Sequence, residues 1–103
     1  MASGTLGQSA PSATTNTTVY TVPAGKVATF TVSILNRGTA SATVRLAIAA
    51  TGTPGNAEYL EYDASIPANG VLERTGIVAT AAKNVVVYAS TANTSVNVHG
   101  YEE

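Results

Sequence analysis

The 103-residue chain has no cysteine, no tryptophan, one histidine and one phenylalanine, and only 11% of it is charged. Without cysteine there are neither disulfides nor thiolate metal sites. With a single histidine there is no imidazole set for a transition metal. A formal net charge of −1 gives no field that would steer the chain onto nucleic acid or an anionic membrane. The five basic residues, Lys26, Arg37, Arg45, Arg74 and Lys83, are scattered. They are not interleaved with Tyr20, Tyr59, Tyr62 and Tyr88, so nucleic acid is not an expected partner. No apolar run approaches the roughly 18 residues of a membrane span, and "MASGTLGQSAP" lacks the basic and apolar regions of an export leader. The expectation is a soluble chain with no membrane partner.

The usual signs of catalysis are missing as well. Glycines stand singly at turns ("AGK", "RGT", "TGT", "ANG") and never form a phosphate-cradling loop ahead of a helix. His99, in "SVNVHGYEE", has no Ser or Cys nucleophile motif to serve, and reads as a surface or interface imidazole. Glu58, Glu61 and Asp63 are the remaining candidates for chemistry. Glu61 and Asp63 are two apart and share a strand face, where they could meet a hard cation such as calcium. Such pairs more often form a solvated face or partner an arginine across the ladder. A glycosidase would need a shaped cleft that so short a domain has little chain to build. These absences point to a non-enzymatic protein without a cofactor.

What is present in abundance is Ala, Thr, Ser and Val, a composition suited to pleated strands. In "VATFTVSIL", Ala28, Phe30, Val32 and Ile34 alternate with Thr29, Thr31 and Ser33, so one side is apolar and the other carries only hydroxyls. Strands are predicted at 19–22, 27–35, 41–49, 58–63, 71–79, 85–91 and 94–101. Turns fall at "PAGK", "NRGTA", "TGTPGN", "IPANG" and "AAKN". Asn69-Gly70 marks a tight hairpin, and Gly76 inside a strand marks a bulge. No helix is expected. Seven strands with short turns predict an antiparallel β-sandwich, Ig-like or jelly-roll-like, over residues 17–103. Its core would hold Phe30, Val32, Ile34, Val44, Leu46, Ile48, Val85, Val87, Val96 and Val98. Residues 1–16 show no period and read as an extended N-terminal arm or a disordered tail. As an arm, they would become ordered only against a neighbour, with Leu6 as the apolar anchor and Pro11 beside it.

Leader residues containing "LGQ" and a proline, then "YTVPAGK", "IPANG" and the terminal "VNVHGY", together resemble small virion structural proteins of tailed bacteriophages. These are the β-sandwich type that serves as head decoration (cement) protein or as a tail or fibre module. The resemblance spans residues 6–103. It implies a capsid-surface protein made in the host cytoplasm. It also implies a homo-oligomer, most often a trimer, that contacts the major capsid protein or another virion protein and has no catalytic residues. Leu6, Pro11, Arg37, Tyr59 and Tyr62 are the expected contact residues. A tail, neck or fibre module, or a carbohydrate- or receptor-binding sandwich using Tyr59 and Tyr62, is the alternative. Flat faces of Thr, Ser and Ala suit a protein buried in a lattice, because they lose little side-chain entropy on contact.

Overall fold

The computed structural model describes residues 2–103. The chain forms eight strands: β1 (Ser3–Ser9), β2 (Thr17–Thr21), β3 (Ala28–Asn36), β4 (Ala42–Ala49), β5 (Tyr59–Ile66), β6 (Val71–Ala79), β7 (Asn84–Ala89) and β8 (Thr94–Glu102). One 3-10 turn, Asn56–Glu58, precedes β5.

The pairing order follows from folding the chain once and then rolling it. Strands β4 and β5 pair across the midpoint of the chain, and outward from them lie the antiparallel pairs β3 with β6, β2 with β7 and β1 with β8. This is one long hairpin of four rungs. Two further antiparallel pairings, β3 with β8 and β4 with β7, roll that ribbon into two sheets, β1-β8-β3-β6 and β2-β7-β4-β5. A sandwich of two such four-stranded sheets is a jelly roll, one of the two forms the sequence suggested.

The core lies between the sheets. Alternation in β3 buries Ala28, Phe30, Val32, Ile34 and Asn36, and alternation in β8 buries Thr94, Val96, Val98 and Glu102. Val44, Leu46, Val85 and Val87 face them from the other sheet. Ile48 departs from expectation: it is only partly buried, whereas Ala47 and Ala49 are buried. The unbroken β4–β7 register sets Ile48 opposite the core residue Val85, so it still faces inward. Strand β5, however, shifts register on both sides of Leu46 and its ladder ends at Ala47, leaving Ile48 incompletely covered.

Turn residues suit two of three type II turns. Asn69-Gly70 does not make the expected tight hairpin, because β5 and β6 belong to different sheets and the Pro67–Gly70 turn carries the chain between them. Hydrogen bonds from Lys26 N to Pro23 O, Gly70 N to Pro67 O and Lys83 N to Thr80 O close three four-residue turns. The third residue of each, Gly25, Asn69 and Ala82, has positive φ, as a type II turn requires. Gly76 also has positive φ and sits at the expected bulge, between the Phe30–Ile77 and Val32–Arg74 pairs.

The N-terminal segment corrects the sequence reading. Residues 3–9 form an eighth strand of the domain itself and need no neighbouring molecule to pair with: β1 runs antiparallel to β8, from Ser3 opposite Tyr101 to Ser9 opposite Val96. Leu6 packs against the domain's own core. A methyl added at Gly7 would overlap the Val19 carbonyl, so β1 is seated directly on β2. The missing alternation in "SGTLGQS" reflects two glycines and a register shift between Thr5 and Gly7. Only Met1 lies outside the described residues.

Candidate contact surfaces

Between the sheets, Tyr20 and Glu102 form a buried polar pair. The phenol Oη donates to Glu102 Oε2 at 2.5 Å, linking β2 of one sheet to β8 of the other. Burial, and then the adjacent carboxylate, push the Tyr20 phenol well above its ordinary value. Tyr20 also meets Phe30 edge to face, with ring centroids 6.0 Å apart. Asn36 is fully buried and spends its amide on the backbone: Nδ2 donates to Ala40 O and Ile66 O, and Oδ1 accepts from Gly38 N. The polarity of these side chains concealed them from a search for apolar periodicity.

The three acidic candidates do not converge. Glu58 accepts from the backbone N–H groups of Gly55 (2.8 Å) and Ala50 (2.9 Å), which hold its carboxyl below the usual range. Glu61 accepts from Arg74 Nη1 at 2.5 Å. Arg74 lies opposite the core residue Val32, and Glu61 opposite the core residue Leu46, so this pair ties β6 of one sheet to β5 of the other at the open edge. Asp63 takes Arg45 Nε at 2.7 Å. Among the described residues no group of three metal-ligating side chains is assembled.

The five expected contact residues are dispersed. Leu6 is packed inward, and Pro11 is buried. Arg37 is exposed, but its guanidinium reaches the Ala92 and Thr94 carbonyls and braces the β3–β4 loop against the β7–β8 loop. Tyr59 and Tyr62 meet edge to face at 5.0 Å on the outside of β5. The Arg45 guanidinium lies 4.2 Å from the Tyr62 ring centre and 4.6 Å from that of Tyr88. Its hydrogen bond to Asp63 raises its already high pKa. Arg45 therefore covers one face of the Tyr62 ring, the platform on which a sugar would stack.

The opposite face is organised differently. Register across β1-β8-β3-β6 places its outward residues in rows. One row runs Ser3, Tyr101, Thr29, Val78; the next has Thr5, His99 and Thr31. The third runs Gln8, Asn97, Ser33, Glu73, and the fourth has Ser95, Leu35 and Val71. Glu73 is the one carboxylate among these positions, and none is Lys or Arg. Val78 (63%), Val71 (56%) and Tyr101 (40%) are the exposed apolar residues of these rows, and Val27 (42%), paired with Glu103, continues the face beyond the first. The Gln8 amide donates to Asn97 Oδ1 at 2.7 Å, pairing the first two residues of the third row within the sheet.

Comparison with protein-family models, curated proteins and solved structures gives no match.

Proposed function

We propose that the chain is a non-enzymatic structural protein of a tailed-bacteriophage virion, acting as a decoration or cement protein on the capsid surface. Its partners would be other copies of itself, trimeric as the resemblance implies, and the major capsid protein or another virion protein. The observation that carries the proposal is the four-strand outward face of β1-β8-β3-β6, nearly free of charge and lined with hydroxyls, amides and exposed valines. Low charge leaves an isolated surface weakly protected against association. Short Thr, Ser and Val side chains lose little entropy when immobilised. Both properties favour a surface that works while covered.

The sequence resemblance to phage virion proteins supplies the setting, and the jelly roll is a fold used by capsid domains among others. A tail, neck or fibre location uses the same surface argument. The sugar-binding alternative is weakened by the Arg45 guanidinium on Tyr62. The test is to purify particles made under the genome that encodes the chain, quantify the chain against the major capsid protein and locate it in a virion reconstruction. Stoichiometric density on the capsid surface supports the proposal. Particles that lack the chain overturn it.

A further inference from the structure

We propose that the outward face of β1-β8-β3-β6 docks onto the same face of a second copy of this chain. The two-fold axis would lie in the interface, at right angles to the strands. This rests on reading the face as a contact surface, and not on which assembly the chain serves.

The sheet edges are poorly suited to association. The two interior pairings, β3 with β8 and β4 with β7, run in unbroken register. The pairings that involve the four edge strands β1, β2, β5 and β6 all contain a register shift. Bulged edges are poor templates for adding a strand from another molecule. The inward-pointing Arg74–Glu61 pair blunts the β5/β6 side further. Association by edge pairing is thus disfavoured, and a face is left.

The pattern on the face is self-complementary. A two-fold rotation about the stated axis exchanges the first row with the fourth and the second with the third, and keeps each residue over its own strand of the partner. Val78 then lies over the second copy's Val71, and Val71 over the second copy's Val78. Thr29 meets Leu35, and Thr31 meets Ser33. The other in-plane axis, along the strands, would instead set Val78 over Ser3 and carry Val71 past Gln8, which is in the third row, to a level beyond the end of the β1–β8 ladder. In the proposed pairing the apolar corners cover each other. Glu73 meets Thr75 beside the Gly76 bulge, so no carboxylate faces another. Aligned sheet-on-sheet packing of this kind is what two inner faces of a sandwich already do.

Four strands at roughly 4.8 Å and seven residues at roughly 3.4 Å give a footprint on the order of 450 Å² per copy before corrugation. That is small for a specific interface, so the pair is expected to form in roughly the micromolar range. A three-fold assembly would have to be built on other surfaces.

The native chain has no cysteine, which permits a clean test. V71C and V78C are made separately; both positions are exposed, so neither change disturbs the core. A short bismaleimide is added to each variant alone and to their mixture. The proposed pairing sets the thiol of V71C in one copy over the thiol of V78C in the other, while like positions lie roughly 20 Å apart along the strands. The mixture is expected to cross-link at least about ten-fold more than either variant alone, with the excess growing with protein concentration. Equal yields in all three samples, or sedimentation as a monomer up to the highest soluble concentration, overturn the proposal. If the face takes a different virion protein, the mixture shows no excess while the chain is still found on particles; that result overturns the pairing and leaves the virion reading standing.

Discussion

On the outside of β2-β7-β4-β5, Arg45 lies against Tyr62 and Tyr88 and is held by Asp63, while Ala47 and Val86, paired on that side, are both buried. On the outside of β1-β8-β3-β6, a regular grid of Thr, Ser, Asn and Val stands open, with Glu73 as the one carboxylate of its four rows and Glu103 paired to Val27 at its end. On the first face the charges of Arg45 and Asp63 are paired within the chain and Arg45 covers one side of Tyr62, which still stays 58% exposed. The second leaves apolar corners exposed and has no charge pattern to repel a copy. The proposed assembly uses the second face, where Val71 and Val78 stand exposed, rather than the first, where Arg45 and Asp63 occupy the surface beside the tyrosines.

Substitutions on and between the faces sharpen that contrast. The largest effect is expected from deleting residues 2–9. This removes β1, unseats Leu6 from the core and leaves β8 as a new edge. The loss is expected to be about 5 kcal/mol or more, on the order of the whole stability of a small domain, read by urea unfolding. A deletion that left the unfolding midpoint unchanged would return the segment to the status of a detached arm.

Next comes the pair that ties the sheets together. Tyr20→Phe leaves the Glu102 carboxylate buried without its donor, at an expected cost of about 1–3 kcal/mol. Its pH dependence has a definite sign. The folded phenol titrates above its ordinary value near 10, so its contribution is present in full below pH 10 and is lost as pH rises beyond that. The gap in stability between native protein and Tyr20→Phe is expected to be constant from about pH 6 to 9 and to narrow above about 10. A gap that widened with alkaline pH would contradict the assignment.

Smaller still is the effect of Arg45→Ala, which opens the tyrosine face by removing the ion pair with Asp63 and the stack on Tyr62 and Tyr88. A modest fall in melting temperature is expected, and added salt should shrink the difference from native protein by screening the ion pair. No change in association is expected. Association gained on this change would mean that the tyrosine face also docks when uncovered.

The sequence made the sandwich visible because alternation in β3 and β8 is strict, and because Gly25 and Asn69 stand where their turns need positive φ, Ala82 being the exception. Phe30, Val32, Ile34, Val96 and Val98 are buried where their period puts them. Legibility failed where period gave way to geometry. The irregular β4–β5 pairing leaves Ile48 partly exposed, and glycines with a register shift hide β1 in a segment that reads as a tail. Pro11 and Leu6 look available in the sequence because nothing in it shows that β8 has a vacant edge beside them. The interdependence of faces was out of reach for the same reason. Arg45, Asp63, Tyr62 and Tyr88 come from three strands that only the rolled ribbon brings together.

The central claim, that the hydroxyl face associates and the tyrosine face does not, is tested most directly by sedimentation velocity on matched charge insertions. Thr31→Asp places a carboxylate at the centre of the β1-β8-β3-β6 face, and Thr43→Asp places one on the outside of β4, at an exposed position near Arg45. Each is expected to lower folding stability by about 1 kcal/mol, the span of strand propensity, and to leave the fold intact. Native protein and Thr43→Asp are expected to show the same concentration-dependent rise in sedimentation coefficient, and Thr31→Asp to remain a monomer. If Thr31→Asp associates like the native protein, or if Thr43→Asp is the variant that fails, the assignment of the two faces is wrong.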